Sequence, residues 1–424
     1  MTRAGAPQRG AREWIGVVLA AVLINLVFLA ALPYRWRRSQ SVDYPLHYAS
    51  VAHNLLAGEG LRNSEGAPAI TYPPGYAFIL AGVFAVSRGT GISEMNAVRG
   101  FNVVALAATS LLVYAVANML FGIRTARLSA LCWMTYPLPL WLTKQPNTEL
   151  AFLVAFFGMT YLVLRIFLRE GPGTGLAFAA GALVGTASLI RPAAIALSFP
   201  VALALFRGSR RRPAKARWRL CALLFLGNLL MVAPWEIWAF RQVGEVIPLS
   251  TAGGTSILDG VTLDITAEES NRVVRIPEDV RALIRACVQR EAELKTPGTI
   301  GRFLGRTLLD EPGTVMKLVA IKAIRSWYAT DSQRFEPTVA MIQAPYLLLA
   351  GAGAFAAWRR GEIGRKYIGF TAWILSYFWG MTILVLSIAR YMIPPMGLLI
   401  VFCGFSLSSV LDRFNLDSRG AAGR

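Results

Sequence analysis

The chain has little charge for its size. Charged residues make up 16% of its 424 residues, whereas 55% are hydrophobic and the mean hydropathy is +0.49. Soluble domains carry about 25% charged residues, so this composition excludes an ordinary soluble protein and predicts an integral membrane protein. Basic residues outnumber acidic ones by 43 to 24, but they lie mostly in short loops between apolar spans, where they orient a membrane protein. Nucleic acid is therefore not an expected partner.

Cysteines are few, and the common sequence motifs of soluble enzymes are absent. The four cysteines show no CxxC spacing and three of them lie in apolar spans, so neither a disulfide framework nor a zinc site is indicated. The sequence contains no P-loop, no GxSxG, no HExxH and no Rossmann glycine signature after a strand. These absences exclude ATP-driven transport and most chemistries of soluble enzymes. No cofactor is indicated by any motif.

Long apolar segments are what the chain has in abundance. Because about 20 apolar residues cross a bilayer, they predict an all-α polytopic membrane protein with about 10 transmembrane helices. The segments are 14–33, 97–120, 125–142, 149–168, 174–190, 192–207, 220–240, 343–358, 367–388 and 392–411. The two short segments within 174–207 could instead form one re-entrant pair.

The arginines give these spans a direction. If the spans alternate from a cytoplasmic N-terminus, every strongly basic short loop falls on the cytoplasmic side, as the positive-inside rule requires. The largest basic cluster lies at 207–219. We therefore expect a multi-pass protein of the cell inner (plasma) membrane with both termini in the cytoplasm.

This alternation leaves two regions outside. Residues 1–240 are predicted to form an N-terminal transmembrane module that contains the first external loop, 34–96. Residues 241–342 are predicted to form a small α-rich periplasmic segment, and residues 343–424 the C-terminal transmembrane helices. Apolar residues at helical spacing over 48–56, and the apolar stretch after Pro73-Pro74, predict interfacial helices in the first loop. Pro312 to Trp327 predicts an amphipathic helix.

Two carboxylates stand at the predicted outer ends of spans. Asp43 precedes a helix started by Pro45, so it is either an N-cap or a functional acid at a membrane boundary. Glu149 begins an apolar span, where it either complements the helix dipole or takes part in chemistry. The only histidines, His47 and His53, follow Asp43 closely. A divalent metal held by Asp43, His47 and Glu149 is one alternative; two histidines on a polar helix face are the other.

Two arginines occupy matching outward positions. Arg191 lies in Ile190-Arg191-Pro192, at a turn between two predicted spans, and Arg390 lies at the outward start of the last span. A guanidinium binds a phosphate through two parallel hydrogen bonds. The alternative is that both side chains only snorkel to the interface.

Taken in order, these landmarks resemble the GT-C superfamily of glycosyltransferases. The likeness is to the bacterial family 39/83 type, which includes protein mannosyltransferases and the lipid A aminoarabinose transferases. It runs from Asp43 to Pro395, and the segment 234–254 matches most specifically. Its Gly253-Gly254 pair indicates a tight turn close to a ligand. The other landmarks are Tyr72-Pro73-Pro74-Gly75-Tyr76, Arg191-Pro192 and Arg390-Tyr391.

The resemblance implies a GT-C fold and an inverting transfer of sugar from a polyprenyl-phosphate-linked donor on the external face. It implies that Asp43 is the general base and that Glu149 lies near the acceptor or a metal. It also implies that Arg390 and Arg191 bind the donor phosphate. The residues implied to contact substrate are His47, Tyr48, Tyr72, Tyr76 and Tyr391.

The chain departs from the family at two places. Some relatives carry Asp-Glu where this chain has Asp43-Tyr44, so the second carboxylate is missing. Many carry a lysine before the Pro-Pro turn, where this chain has Thr71-Tyr72. No phosphate-binding role is carried over to that position.

The expected partners are a polyprenyl-phosphate-linked sugar donor, a glycan, lipid or protein acceptor, and membrane lipids. One alternative is a transporter or flippase of lipid-linked glycans, but transporters usually show two related halves and ionisable residues deep in spans. Another is a glycan polymerase or ligase, which relies on arginines in a large loop without the early aspartate. Charges here gather at the outward ends of spans, which favours an active site at the surface.

Overall fold

The computed structural model describes residues 6–37, 43–168, 171–266, 274–330 and 333–421. These residues form α-helices joined by short loops, and one isolated antiparallel bridge pairs Arg62 with Pro68. The predicted all-α class is confirmed. The helices are α1 Ala6–Ala31, α2 Tyr34–Arg37, α3 Ser50–Leu56, α4 Gly75–Thr90, α5 Glu94–Phe121, α6 Ile123–Met134, α7 Pro137–Leu142, α8 Glu149–Leu168, α9 Thr174–Ile190, α10 Ser198–Gly208, α11 Ala214–Val243, α12 Gly253–Thr266, α13 Glu278–Gln289, α14 Pro297–Asp310, α15 Pro312–Arg325, α16 Glu336–Arg359, α17 Glu362–Leu384 and α18 Ile393–Ala421.

Seven helices in the described residues are long and apolar enough to cross a membrane, which makes the chain a multi-pass membrane protein. The predicted span 125–142 is divided into α6 and α7, and the span 192–207 into a 3-10 turn and α10, whereas 174–190 is α9 with the predicted bounds. Proline explains the breaks, because the residue before a proline is pushed out of the helical region. Tyr136 and Arg191 each precede a proline and are extended.

The chain divides into two compact units. The first consists of the described residues of Met1–Leu249, Leu349–Phe370 and Gly397–Arg424. In it, α5 packs against α1, α6 and α8, while α9 packs along α8 and α11. The described residues of the predicted first external loop, 34–37 and 43–96, belong to this unit.

That loop is built from three short helical pieces. A π-helical turn over Tyr44–Ala49 runs directly into α3, and an irregular segment then leads to α4. The amide of Asn54 on α3 donates to the carbonyls of Arg62 and Asn63, which ties the irregular segment to the helix. Both predicted helices of the loop are therefore present. The interfacial position of α4 stays a prediction.

The second unit consists of the described residues of Ser250–Leu348 and Thr371–Met396. Its helices α12 to α15 enclose a hydrophobic core of their own, in which Leu258, Val280 and Leu318 are buried. The predicted amphipathic helix from Pro312 is confirmed as α15. The interpretation of Gly253-Gly254 as a tight turn is wrong, since these residues begin α12.

A membrane-impermeant maleimide tests the predicted sidedness. We expect Ser64→Cys and Gln289→Cys, both at exposed positions, to be labelled from outside intact cells. Arg210→Cys in the basic cluster should react only after permeabilisation. The unsubstituted chain gives the background, because three of its four cysteines are buried. Labelling of Arg210→Cys alone from outside would reverse the predicted topology.

Candidate active site

Asp43 stands at the start of the π-helical turn with its side chain exposed. Its backbone is already helical, with φ −61° and ψ −29°, and its carboxylate makes no capping hydrogen bond. An N-cap residue needs an extended backbone to aim its side chain at the helix amides. The capping role considered for Asp43 is therefore not what this geometry shows, and the carboxylate is not committed to the helix end.

An aromatic cluster lies one turn further along the same helix. The ring of Tyr48 stacks on Tyr72, with centroids 5.2 Å apart, and meets Tyr76 edge-on at 5.3 Å. His47 contacts the other side of this group, edge-on to Tyr72 at 5.3 Å. A small cleft beside the cluster is lined by His47, Tyr48, Tyr72 and Asn63 among others. The structure thus brings together four of the residues expected to contact substrate.

The pKa of the Tyr48 phenol depends on its burial and on the charged groups near it. Burial raises the pKa of Tyr48 well above its ordinary value, as do the neighbouring Tyr72, Asp43 and Glu149, whereas Arg191 lowers it. Tyr48 therefore stays protonated and can donate a hydrogen bond at neutral pH. The charges of Asp43, Glu149 and Arg191 all influence this one phenol.

Glu149 and Arg191 form a buried ion pair. The Arg191 Nη1 lies 2.6 Å from the Glu149 Oε1, and the two residues are only 8% and 5% exposed. Thr148 Oγ1 lies 3.4 Å from the other carboxylate oxygen. Each of these ions offsets the cost of burying the other. Arg191 is a buried residue, so snorkelling into solvent does not describe it.

Local sequence explains how α4 reaches this pair. Pro73 and Pro74 end the irregular segment, and Gly75 begins α4 against the last turn of α9. A Cβ on Gly75 would lie 2.6 Å from the Leu189 carbonyl oxygen, so only glycine permits this approach. The contact sets the Pro-Pro turn beside Arg191, which follows α9 directly.

The loop before α8 contributes Asn147 and Lys144, of which the sequence did not single out Lys144. The side-chain oxygen of Asn147 accepts a hydrogen bond from the Leu150 amide and so caps α8. The backbone amide of Asn147 donates to the Tyr76 hydroxyl at 2.9 Å. Lys144 is buried, with its ammonium 3.7 Å from the centroid of the Trp141 ring, and burial lowers its pKa to about 8. The signal for Lys144 was its rarity, since the chain has only six lysines.

The segment after Pro234 has a supporting role within the first unit. The indole of Trp235 donates to the Leu249 carbonyl at 3.1 Å, and the Glu236 carboxylate accepts from the Leu249 amide at 2.9 Å. Leu61 and Ile70 of the first external loop pack against this group. The described part of this family-like segment thus shapes the loop that carries the aromatic cluster.

Arg390 and Tyr391 belong to the second unit, in a 3-10 turn over Ala389–Met392. The guanidinium carbon of Arg390 lies 5.6 Å from the centroid of the Tyr391 ring. The amide of Ala389 donates to the Ala329 carbonyl at 2.8 Å, which fixes the turn to the end of α15.

The described residues contain no group of three or more His, Cys, Asp or Glu side chains placed to hold a metal ion. Asp43, His47 and Glu149 do not form such a group, because Glu149 is paired with Arg191 and His47 packs on Tyr72. His53 stacks on Phe84 and lies 3.4 Å from Glu94. The predicted alternative of a metal at these three residues has no support in the geometry.

Residues 71–238 match a family model described as dolichyl-phosphate-mannose-protein mannosyltransferase. Among solved structures, the oligosaccharyltransferase AglB from Archaeoglobus fulgidus, in complex with an inhibitory peptide and a dolichol-phosphate, is similar at 12% identity and a TM-score of 0.58. That alignment covers 97% of this chain and 52% of AglB. The chain has the GT-C fold. The resemblance seen in the sequence is thereby confirmed, and the predicted glycosyltransferase class agrees with both comparisons.

Two further comparisons complete this picture. The same archaeal enzyme tethered to an acceptor peptide containing the NVT sequon is similar at a TM-score of 0.57, over 95% of this chain and 50% of that one. ArnT from Cupriavidus metallidurans bound to undecaprenyl phosphate matches at 15% identity, over 95% of this chain and 79% of ArnT, with a TM-score of 0.42, which is too low to support the fold. A sequence comparison with curated proteins gives no match. The chain spans about half the length of AglB.

Proposed function

We propose that the protein is an inverting glycosyltransferase that moves a sugar from a polyprenyl-phosphate-linked donor to an acceptor hydroxyl. The observation that carries the proposal is the buried Glu149–Arg191 ion pair, together with the aromatic cluster around Tyr48 and the exposed Asp43 one helical turn before it. Two carboxylates, one guanidinium and a protonated phenol provide a proton acceptor, a cation and a hydrogen-bond donor. Those groups suit the transfer of a glycosyl unit from a phosphate.

Asp43 is the proposed general base. Its exposed carboxylate takes the proton of the acceptor hydroxyl while that oxygen attacks the anomeric carbon of the donor sugar. The new C–O bond forms on the opposite face from the phosphate, so the configuration inverts. The bond from the anomeric carbon to the phosphate oxygen breaks, and its electron pair leaves with the polyprenyl phosphate.

Arginine is proposed to stabilise that leaving phosphate as its charge grows. Arg390 is the preferred ligand because it lies at the predicted outward start of the last span, where the resemblance implies a phosphate-binding arginine. Glu149 is then assigned to fixing Arg191 and the acceptor side of the site. His47, Tyr48 and Tyr72, with Tyr76 and Tyr391, are proposed to contact the substrates.

The reaction is proposed to take place on the periplasmic side of the inner membrane, with both chain termini in the cytoplasm. The site lies where the first external loop meets the outward ends of α8 and α9, and the lipid tail of the donor stays in the bilayer. A lipid-linked donor supplies a sugar there, where nucleotide sugars are not made.

Transfer from lipid-linked sugars, measured in inverted and right-side-out vesicles, tests this function. We expect the vesicles to transfer labelled sugar from a polyprenyl-phosphate donor when their external membrane face is exposed to an extract that contains the acceptor. Polyprenyl phosphate should accumulate in an equal amount. The same sugars supplied as nucleotide conjugates should give no direct transfer. Direct use of a nucleotide sugar by the purified chain would overturn the proposal.

Arg390 gives a second, residue-level test. If it binds the donor phosphate, Arg390→Ala should weaken polyprenyl phosphate binding by about 10–100-fold, since a hydrogen bond to a charged group is worth 1.5–3 kcal/mol. Arg390→Lys should recover little, because a point ammonium cannot reproduce the planar fork. The measurement is binding affinity and turnover in the same membranes. A lysine variant equal to wild type would move the phosphate role to Arg191.

A further inference from the structure

Lys322 is a buried cation in the second unit that the proposed chemistry does not use. It is 2% exposed, and its ammonium donates to the carbonyls of Gly260 at 2.7 Å and Val385 at 2.8 Å. Removing an ammonium from water is costly unless such hydrogen bonds replace the lost hydration. Lys322 therefore ties together α12, α15 and the chain that leads into the Arg390 turn.

Gly260 shows how closely these segments meet. A Cβ on Gly260 would lie 1.5 Å from the Val385 carbonyl oxygen and 2.9 Å from the Lys322 ammonium. Only glycine leaves room for that carbonyl, so the backbone of α12 sits directly against the chain before Arg390.

The other end of the segment 385–389, which leads into the Arg390 turn, is held by a buried ion pair. Arg325 and Glu336 form a two-armed ion pair at 3.1 and 3.2 Å, and both are almost completely buried. Glu336 also accepts from the Thr330 amide at 3.4 Å, which holds the end of α15 in place. The Ala329 carbonyl at that end accepts from the Ala389 amide, one residue before Arg390.

The hydroxyl groups of Ser387 and Thr382 hold the middle of the segment 385–389. Ser387, which is fully buried, donates to the Thr382 carbonyl at 3.1 Å. Thr382 in turn donates to the Ser326 hydroxyl of the α15 end at 3.0 Å. The segment 385–389 is thus fixed at its start, middle and end immediately before the arginine.

We propose that Lys322 is a positioning residue: through the Val385 carbonyl it holds the 385–389 segment so that Arg390 is aimed at the donor phosphate. The inference rests on the proposed function of Arg390 and deepens it. A guanidinium fork discriminates by geometry, so fixing its backbone before the lipid arrives avoids an ordering cost on binding. Lys322 itself touches no substrate.

The test is polyprenyl phosphate binding by the full chain in nanodiscs. Lys322→Met keeps all but the last atom of the side chain and removes its donors, and we expect the affinity to fall by about 10–100-fold. Lys317→Met is the matched control, because Lys317 lies on the same helix, is half exposed and pairs with Asp279. Its affinity should stay at the wild-type value.

A double-mutant cycle separates positioning from general damage to the fold. In an Arg390→Ala background, Lys322→Met should cause no further loss, since it acts through Arg390. A folded Lys322→Met chain with wild-type affinity would overturn the inference, as would an equal further loss without Arg390. If Lys322→Met does not fold, the affinity of Ser387→Ala for polyprenyl phosphate takes its place as the test. A folded Ser387→Ala chain with wild-type affinity would also overturn the inference. Absent binding by the wild type would instead contradict the proposed function.

Discussion

Asp43→Asn is expected to abolish transfer while leaving donor binding and the fold intact. The amide cannot accept the proton of the acceptor hydroxyl, and a general base contributes about 10²–10⁴-fold to the rate. Because the Asp43 carboxylate makes no capping hydrogen bond, no loss of helix stability should obscure the result. The measurement is the single-turnover rate with saturating lipid-linked donor, alongside the affinity for polyprenyl phosphate.

Glu59→Gln and Glu65→Gln are the matched controls, since both are exposed acids of the same loop. Each should transfer sugar at the wild-type rate. Activity of Asp43→Asn within a few-fold of wild type would rule out Asp43 as the base.

The buried pair of Glu149 and Arg191 should give the largest effect on stability. Glu149→Gln leaves the Arg191 guanidinium buried without its carboxylate, and breaking a buried pair in this way costs about 3–5 kcal/mol. Changing both residues to Gln removes both charges and should recover much of that loss. Transfer should stay impaired in the double variant, because the polar chemistry of the site is gone. Denaturant unfolding and transfer are measured on the same preparations.

An exposed pair of the same unit serves as the control. Arg211 and Glu362 form an ion pair with the arginine largely in solvent, and exposed pairs contribute at most about 1 kcal/mol. Arg211→Gln should therefore unfold close to wild type. If Glu149→Gln were as stable as Arg211→Gln, the pair would not be the buried interaction described above.

The fold was predictable because its strongest determinants are local. Apolar length identified the seven helices that are long enough to cross, and the arginines gave a consistent direction for them. The predicted span 125–142 was less well bounded, because Pro137 breaks an apolar run that looks continuous, whereas the bounds predicted for 174–190 agree with α9. Gly253-Gly254 was also misjudged: glycines usually mark turns, but here Gly254 allows the start of α12 to approach the Lys295 carbonyl closely.

The candidate residues of the site could be chosen from the sequence, but the ion pair between two of them could not be predicted. Asp43, Glu149 and Arg191 stood out because each interrupts an apolar context at a predicted membrane boundary. That Glu149 pairs with Arg191 depends on the packing of α4 and α9, which no local pattern encodes. Lys322 was missed because a lysine on an amphipathic helix is normally exposed, and its burial follows from α12 and Val385 reaching it in the folded chain.

A structure with polyprenyl phosphate bound tests the central claim most directly. We expect the phosphate to accept hydrogen bonds from a guanidinium at the predicted outer side, Arg390 or else Arg191, with the lipid tail leaving toward the bilayer. Phosphate held instead by the basic cluster at 207–219, on the opposite predicted side, would contradict the proposed donor, site and sidedness together.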